Sequence, residues 1–238
     1  MKIKLFILCF SFFTIYFSPA QELAFPPKIN LFQYSASISQ RPLYGFPNAR
    51  IWGWSNNGKV AYSIETEVDG RGGQKIDFVV FDLISDETIF ELKMDSFNHN
   101  DVEDEILYNL FSSDIANALR INGIISQRIE FLPFPIRINN TVYNSQIINV
   151  EHKKGDEYGF FDSLVSKYMV KVIANEKSKI IANFNPVHTL TGYAYVCGYF
   201  LSPFENRALV VVAEEHWGFE GTELTYRFSG CHLGVGFN

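Results

Sequence analysis

The C-terminal stretch from Gly192 to Leu233 constrains the fold of this chain most strongly. Three runs in it, Tyr193 to Phe200, Arg207 to Ala213 and Glu223 to Phe228, are rich in β-branched and aromatic residues. Turns that contain proline or glycine separate them, which is typical of strands joined in sequence. The stretch therefore predicts an antiparallel meander sheet.

A second meander is predicted between Arg50 and Lys93, where four strand-like runs follow one another. The first two are joined by Ser55-Asn-Asn-Gly58, and asparagine and glycine tolerate the positive φ of a tight hairpin turn. Further strand-like runs with proline punctuation lie in residues 124–185. Among these, Lys171 to Phe184 predicts a hairpin.

One stretch has helical periodicity instead. Acidic and capping residues at 98–105 precede apolar residues spaced three and four apart, and Asn122-Gly123 is a stop signal. The spacing predicts one amphipathic helix over residues 99–120. The predicted fold is mostly β, with two antiparallel meander sheets, blade-like or sandwich-like, and one inserted amphipathic helix. The predicted organisation is an extended lead-in (21–48) and a single β-rich domain (49–238), made of an N-terminal meander (50–93), the helix (99–120), central strands (124–185) and a C-terminal meander (192–238).

The first twenty residues have the three parts of a secretory signal peptide. Lys2 and Lys4 precede an apolar run from Leu5 to Phe17, and the small-residue triplet Ser18-Pro-Ala20 follows. The alternative is a membrane anchor, but the apolar run is shorter than the roughly 20 residues that cross a bilayer. We therefore predict removal of residues 1–20, no membrane insertion afterwards, and a periplasmic or secreted product.

The net charge argues against two classes of binding partner, and the cysteines predict a disulfide. The chain carries a formal net charge of −6 and has no basic stripe, which argues against nucleic acid and anionic lipid as partners. Outside the cytoplasm, Cys197 and Cys231 are predicted to form a disulfide. The alternative is two buried thiols.

Two hairpins of the chain are similar to each other and to a known motif. Trp54-Ser-Asn-Asn-Gly-Lys59 and Leu201-Ser-Pro-Phe-Glu-Asn-Arg207 each lead into an apolar strand. They resemble the Ser-Pro-Asp-Gly-Lys turn of TolB-like and WD40-like propeller blades, although Asn56-Asn57 replaces Pro-Asp in the first. A closed propeller has four or more blades, and this chain has room for two or three.

The arrangement also resembles a family of bacterial predicted secreted proteins of unknown function. The resemblance rests on the signal peptide, the first hairpin, a Gly-rich hairpin that ends in an aspartate, and the late motif Gly218-Phe-Glu-Gly221. The resemblance implies a location outside the cytoplasm and the predicted β-rich fold. It implies no catalytic or binding chemistry.

No specific catalytic or metal motif is present in the sequence. Glu214-Glu215-His216 is the densest group of potential ligands, but alternation along a strand lets only Glu214 and His216 share a face. A solvated strand end is the favoured interpretation. No zinc spacing and no Gly-x-Ser-x-Gly elbow occurs, so no metal and no cofactor is predicted.

Two Gly-rich loops, Asp69-Gly-Arg-Gly-Gly73 and Gly218-Phe-Glu-Gly221, are the candidate binding surfaces. The candidate binding residues in and beside them are Glu65, Asp69, Arg71, Glu215, His216, Trp217 and Glu220. The predicted function is a non-catalytic recognition or scaffold module of the cell envelope that binds a protein or a glycan. The alternative is an envelope hydrolase, for example one that acts on glycans, using carboxylates of the same loops.

Overall fold

A computed structural model of the chain describes residues 24–31, 43–68, 72–155, 159–218 and 221–238. The predicted signal peptide and three candidate binding residues, Asp69, Arg71 and Glu220, lie outside the described residues. Strands account for 57% and helices for 11%, which confirms the mostly β class with antiparallel meander sheets.

The strands are β1 (Ile29–Asn30), β2 (Leu43–Gly45), β3 (Asn48–Trp54), β4 (Lys59–Glu67), β5 (Gln74–Asp82), β6 (Glu87–Asp95), β7 (Phe131–Leu132), β8 (Ile136–Ile138), β9 (Thr141–Lys154), β10 (Ser163–Ala174), β11 (Lys177–Phe184), β12 (Thr191–Leu201), β13 (Arg207–Trp217) and β14 (Thr222–His232). A 3₁₀ helix (Ser96–His99) and two α-helices, α1 (Asp104–Leu110) and α2 (Ser112–Ile121), follow β6.

The strands form three sheets. Sheet A has the order β1-β3-β4-β5-β6, sheet B the order β2-β14-β13-β12-β7, and sheet C the order β11-β10-β9-β8. Sheets A and B contain the two predicted meanders, and the central strands add sheet C as a third sheet. The predicted hairpin in sheet C turns at Asn175 and Glu176, both of which have positive φ.

Sheet B lies in the middle of a stack. Along β13, Leu209, Val211 and Ala213 face a core shared with sheet A, whereas Val210 and Val212 face cores shared with sheet C. Strands buried on both faces read as continuous apolar runs. This explains why β13 shows no period-2 alternation in the sequence.

The helices cover the outer face of sheet A. Leu107, Tyr108 and Ile115 pack against the core that includes Phe78 of β5. The predicted helix is interrupted at Phe111, whose φ of −107° and ψ of 14° are not helical. The apolar spacing therefore predicts the covered face correctly, but the chain forms two helices there.

The two hairpin turns that resemble each other in sequence also share hydrogen bonds. Ser55 N donates to Lys59 O at 2.9 Å, and Ser202 N donates to Arg207 O at 2.9 Å. Each serine hydroxyl accepts a backbone N–H inside its own turn, that of Lys59 at 2.9 Å and that of Phe204 at 3.3 Å. The serine is therefore the residue that closes both turns.

The predicted disulfide is wrong, because Cys197 and Cys231 are not joined to each other. Cys197 on β12 belongs to the core between sheets A and B. Cys231 on β14 belongs to the core between sheets B and C. Strand β13 separates their strands, so the side chains lie on opposite faces of one sheet and cannot approach bonding distance.

Reducing agent should therefore leave the urea unfolding midpoint unchanged. Both thiols are buried, and burial raises the pKa of the Cys231 thiol to about 11, so neither is poised to react. A thiol reagent should label the two cysteines only after denaturation. A peptide that contains both cysteines in a reducible link, seen by mass spectrometry, would contradict this expectation.

Candidate functional site

A cavity of about 620 Å³ opens at one end of the stack, where β4 ends and β14 begins. The segment between the 3₁₀ helix and α1, together with Asp104 at the start of α1, forms its third side. It is lined by Gly45, Phe46, Asn48, Thr66, Glu67, Val68, Gly72, Gly73, Gln74, Asp101, Val102, Glu103, Asp104, Glu223 and Leu224. Its volume is within the range of about 300 to 1,000 Å³ that is typical of ligand sites.

The lining of this cavity is acidic. Five carboxylates contribute to it, Glu67, Asp101, Glu103, Asp104 and Glu223, and none of the described lining residues is basic. Charges of one sign along a concave surface concentrate the potential inside it. The cavity is therefore suited to a cationic group.

The described end of the first Gly-rich loop packs against the 3₁₀ helix. Gly73 has a φ of +82°, and a Cβ on it would lie 2.6 Å from Ser96 Oγ. The same hydroxyl accepts the N–H of Gln74 at 2.7 Å, and Val68 N donates to Gly73 O at 3.0 Å. Only glycine fits at position 73, and the described end of the loop is held as part of the cavity wall.

Two glycines leave room for the Glu223 side chain at the opposite wall of the cavity. A Cβ on Gly45 would lie 2.8 Å from Glu223 Cγ, and one on Gly218 would lie 1.7 Å from Glu223 Oε1. Glu223 is opposite Gly45 in the parallel pairing of β14 with β2. The end of the first Gly-rich loop and the strand that follows the second thus contribute to one cavity.

A buried ionic network lies behind the cavity, between sheet A and α1. Glu65 is 2% exposed and Arg50 is 4% exposed. Arg50 Nε donates to Glu65 Oε1 at 2.5 Å, and Tyr108 OH donates to the same oxygen at 2.9 Å. Lys28 Nζ lies 3.2 Å from Glu65 Oε2. Glu65 is therefore an internal counter-ion, not a group that faces solvent.

Asp104 joins this network to the cavity. Its carboxylate forms an ion pair with Lys28, and Arg50 Nη2 lies 3.8 Å from its Oδ2. Burial alone would raise the pKa of Asp104, but the hydrogen bond from Lys28 and the two positive charges outweigh burial and lower it. Asp104 therefore stays ionised at the cavity wall.

The prediction of a solvated end for Glu214-Glu215-His216 is wrong. The three side chains are 0%, 1% and 3% exposed, because β13 is an inner strand of the middle sheet. Glu214 accepts hydrogen bonds from Tyr168 OH at 2.6 Å and from Val187 N at 2.8 Å. These contacts tie β13 to sheet C.

His216 packs between His188 and β14. Its ring stacks on His188 at 3.7 Å between centroids, and its Nε2 lies 3.0 Å from Thr225 Oγ1. Burial, and then the neighbouring His188, lower the pKa of His216 to about 4. His216 is therefore neutral at physiological pH. Within the described ranges, no group of three or more His, Cys, Asp or Glu side chains is arranged to hold a metal.

Trp217, a candidate binding residue, contributes to packing instead. Its ring stacks on Phe160 at 3.8 Å and is nearly parallel to it. Neither Trp217 nor Glu215 is among the residues that line the cavity. The structure thus places Glu65, Glu215, His216 and Trp217 apart from the cavity surface.

None of the acids that line the cavity is among the predicted binding residues, although Glu67 is one of the carboxylates that the sequence offers to the alternative hydrolase. Asp101, Glu103 and Asp104 were interpreted as the start of a helix, a role that Asp104 also has. Glu67 and Glu223 are far apart in the chain and meet only through the fold. Each lies next to a predicted Gly-rich loop in the sequence, and this proximity is the signal that could have identified it.

Comparisons of the chain with protein families, with curated proteins and with solved structures give no match. The resemblance to predicted secreted proteins therefore stays a prediction. Across the part of the chain that the structure describes, no helix has the length and apolar character needed to span a bilayer.

Proposed function

We propose that this protein is a non-catalytic recognition module of the periplasm or the cell exterior. In this proposal, the acidic cavity binds a basic segment of a partner protein. The observation that carries the proposal is the set of five carboxylates on the wall of one cavity that has no described basic lining residue. A lysine or arginine side chain that enters the cavity would replace water with carboxylate partners.

The lowered pKa of Asp104 supports binding over hydrolysis. Carboxylate catalysis of glycoside cleavage needs one acid that stays protonated until it donates its proton. The pKa of Asp104 is instead lowered by Lys28 and Arg50, and Glu65 is ion-paired with the same two cations. Asp104 is therefore held ionised, and it is not suited to be the acid that donates a proton.

The proposal is tested with an extended peptide of alternating lysine and alanine, compared with its glutamate counterpart. The lysine peptide should bind, and binding should weaken as salt is added. Replacing two carboxylates of the cavity wall, by Glu67→Gln and Glu103→Gln together, should weaken binding by about 10-fold or more, at about 1 kcal/mol for each charge contact. Isothermal titration calorimetry provides the dissociation constants.

A matched control changes the same charge outside the cavity. Glu87 and Glu176 are both exposed, and the pair Glu87→Gln and Glu176→Gln should leave peptide binding unchanged. Equal binding of the lysine and glutamate peptides, or equal loss with both pairs of substitutions, would contradict the proposal.

A further inference from the structure

The outer face of sheet C is covered by no other described element. Val170 and Val172 of β10 point into the cores shared with sheet B, so alternation places Met169, Lys171 and Ile173 on the other face. Neither Met169 nor Ile173 belongs to a described hydrophobic core. Among the described elements, the stack of layers thus ends in a sheet that has only one face packed.

This uncovered face combines apolar residues with positive charge. Three basic side chains, Arg137, Lys167 and Lys171, alternate with inward-facing residues and so lie on the outer face. One acid, Glu151, lies opposite Lys167. On the outer face, Lys171 lies opposite Ile180 of β11, which is 48% exposed, and Met169 lies opposite Ile148 of β9. The whole chain is acidic, so this basic face is a local exception.

The helices at the opposite end of the stack carry the charge opposite to that of the outer face of sheet C. Glu105 of α1 and Asp114 of α2 are exposed acids, and Arg120 is the one base of the two helices. The helices also expose Ile106, Leu110 and Ile121, at 49%, 56% and 65%. The outward surface of α1 and α2, the helical face, is therefore acidic and partly apolar.

We propose that the outer face of sheet C binds the helical face of a second copy of this chain. Opposite charges would then meet across the contact, and apolar residues of both faces would be buried together. Pairing two copies through identical faces would instead bring like charges together. The chemistry thus favours a head-to-tail arrangement, in which each copy keeps one free face of each kind.

The size of the face is sufficient for such a contact. Strands of up to 14 residues, four of them side by side, give a surface on the order of 600 Å² at the usual strand spacings. A standard interface buries about 800 Å² on each partner. The expected association is therefore weak to moderate and sensitive to salt.

The test is sedimentation of the purified protein across a concentration series, at low and at high salt. At low salt the average mass should rise with concentration beyond the dimer, and at high salt it should fall to the monomer because ions screen the charges. Lys167→Glu with Lys171→Glu, and separately Glu105→Lys with Asp114→Lys, should each abolish association. A chain that carries all four substitutions restores opposite charges and should associate again.

The controls distinguish a loss of association at the proposed contact from unfolding of the variant and from an effect of the cavity. Thermal unfolding should show that each variant folds, and the neutral pair Lys167→Gln and Lys171→Gln should weaken association to a smaller extent. The cavity pair Glu67→Gln and Glu103→Gln should leave most of the association intact. A wild-type protein that stays monomeric, failure of the fourfold variant to associate, or binding of sheet C only to acidic lipid vesicles would overturn the proposal.

Discussion

Glu65→Ala is expected to lower the free energy of unfolding by about 3 to 5 kcal/mol. The substitution leaves the guanidinium of Arg50 with no partner for its Nε in a site where the residue is 4% exposed. Removing one member of a buried ion pair leaves an uncompensated charge in a poorly solvated site. Tyr108 loses an acceptor at the same time. Urea unfolding followed by circular dichroism measures the change.

Two further variants make this prediction specific to the charge. Glu67→Ala removes an exposed acid two residues along the same strand and should cost less than about 0.5 kcal/mol. Adding Arg50→Met to Glu65→Leu removes both charges and should recover a large part of the lost stability. A cost below about 1 kcal/mol for Glu65→Ala would show that water or other side chains compensate Arg50.

Stability should fall by up to about 3 kcal/mol as the pH falls from about 6.5 to about 4, because of His216 alone. Its folded-state pKa is about 4, below the value of about 6.5 for an unfolded chain. Between these values the unfolded chain binds more protons than the folded protein does. The contribution is therefore fully present above pH 6.5 and is lost as the pH falls.

His216→Gln should remove this part of the pH dependence. Glutamine does not titrate, and its amide can keep a hydrogen bond to Thr225 Oγ1, which lies 3.0 Å from His216 Nε2. His152→Gln changes an exposed histidine and should leave the slope as in the wild type. Urea midpoints measured at intervals between pH 4 and pH 7 test both variants. An unchanged slope in His216→Gln would show that other groups govern the loss.

Local patterns predicted the elements of this fold better than their arrangement. The three- and four-residue spacing around Ile115 identified the helical region because one face of the helices is packed and the other is solvated. The interruption at Phe111 depends on how two helices fit against sheet A, and the local spacing does not encode it. The hairpin at Asn175 and Glu176 was predictable because the turn itself requires positive φ.

The environment of a strand residue was not predictable from its neighbours in the chain. Glu214, Glu215 and His216 have the composition of a solvated strand end, yet they are buried because β13 has strands on both sides and a sheet on each face. Sequence alternation correctly placed Glu214 and His216 on one face. It could not show that sheet C covers that face.

The cavity depends on pairings between distant parts of the chain. Glu223 reaches the same wall as Gly45 only because β14 pairs in parallel with β2. Asp101 and Glu103 reach it because the helices pack back over sheet A. Contacts of this kind leave no periodic signal in the sequence.

The parallel pairing of β2 with β14 also determines the order in which the three sheets can form. Strand β2 lies far before β14 in the chain, so the middle sheet of the stack cannot be completed until β14 has been synthesised. The hairpins of sheets A and C contain only local pairings and can form earlier. Non-local pairings slow folding, so β2 has no strand partner while the strands between it and β14 are made. The edge of the middle sheet beside β2 is therefore expected to form late in folding.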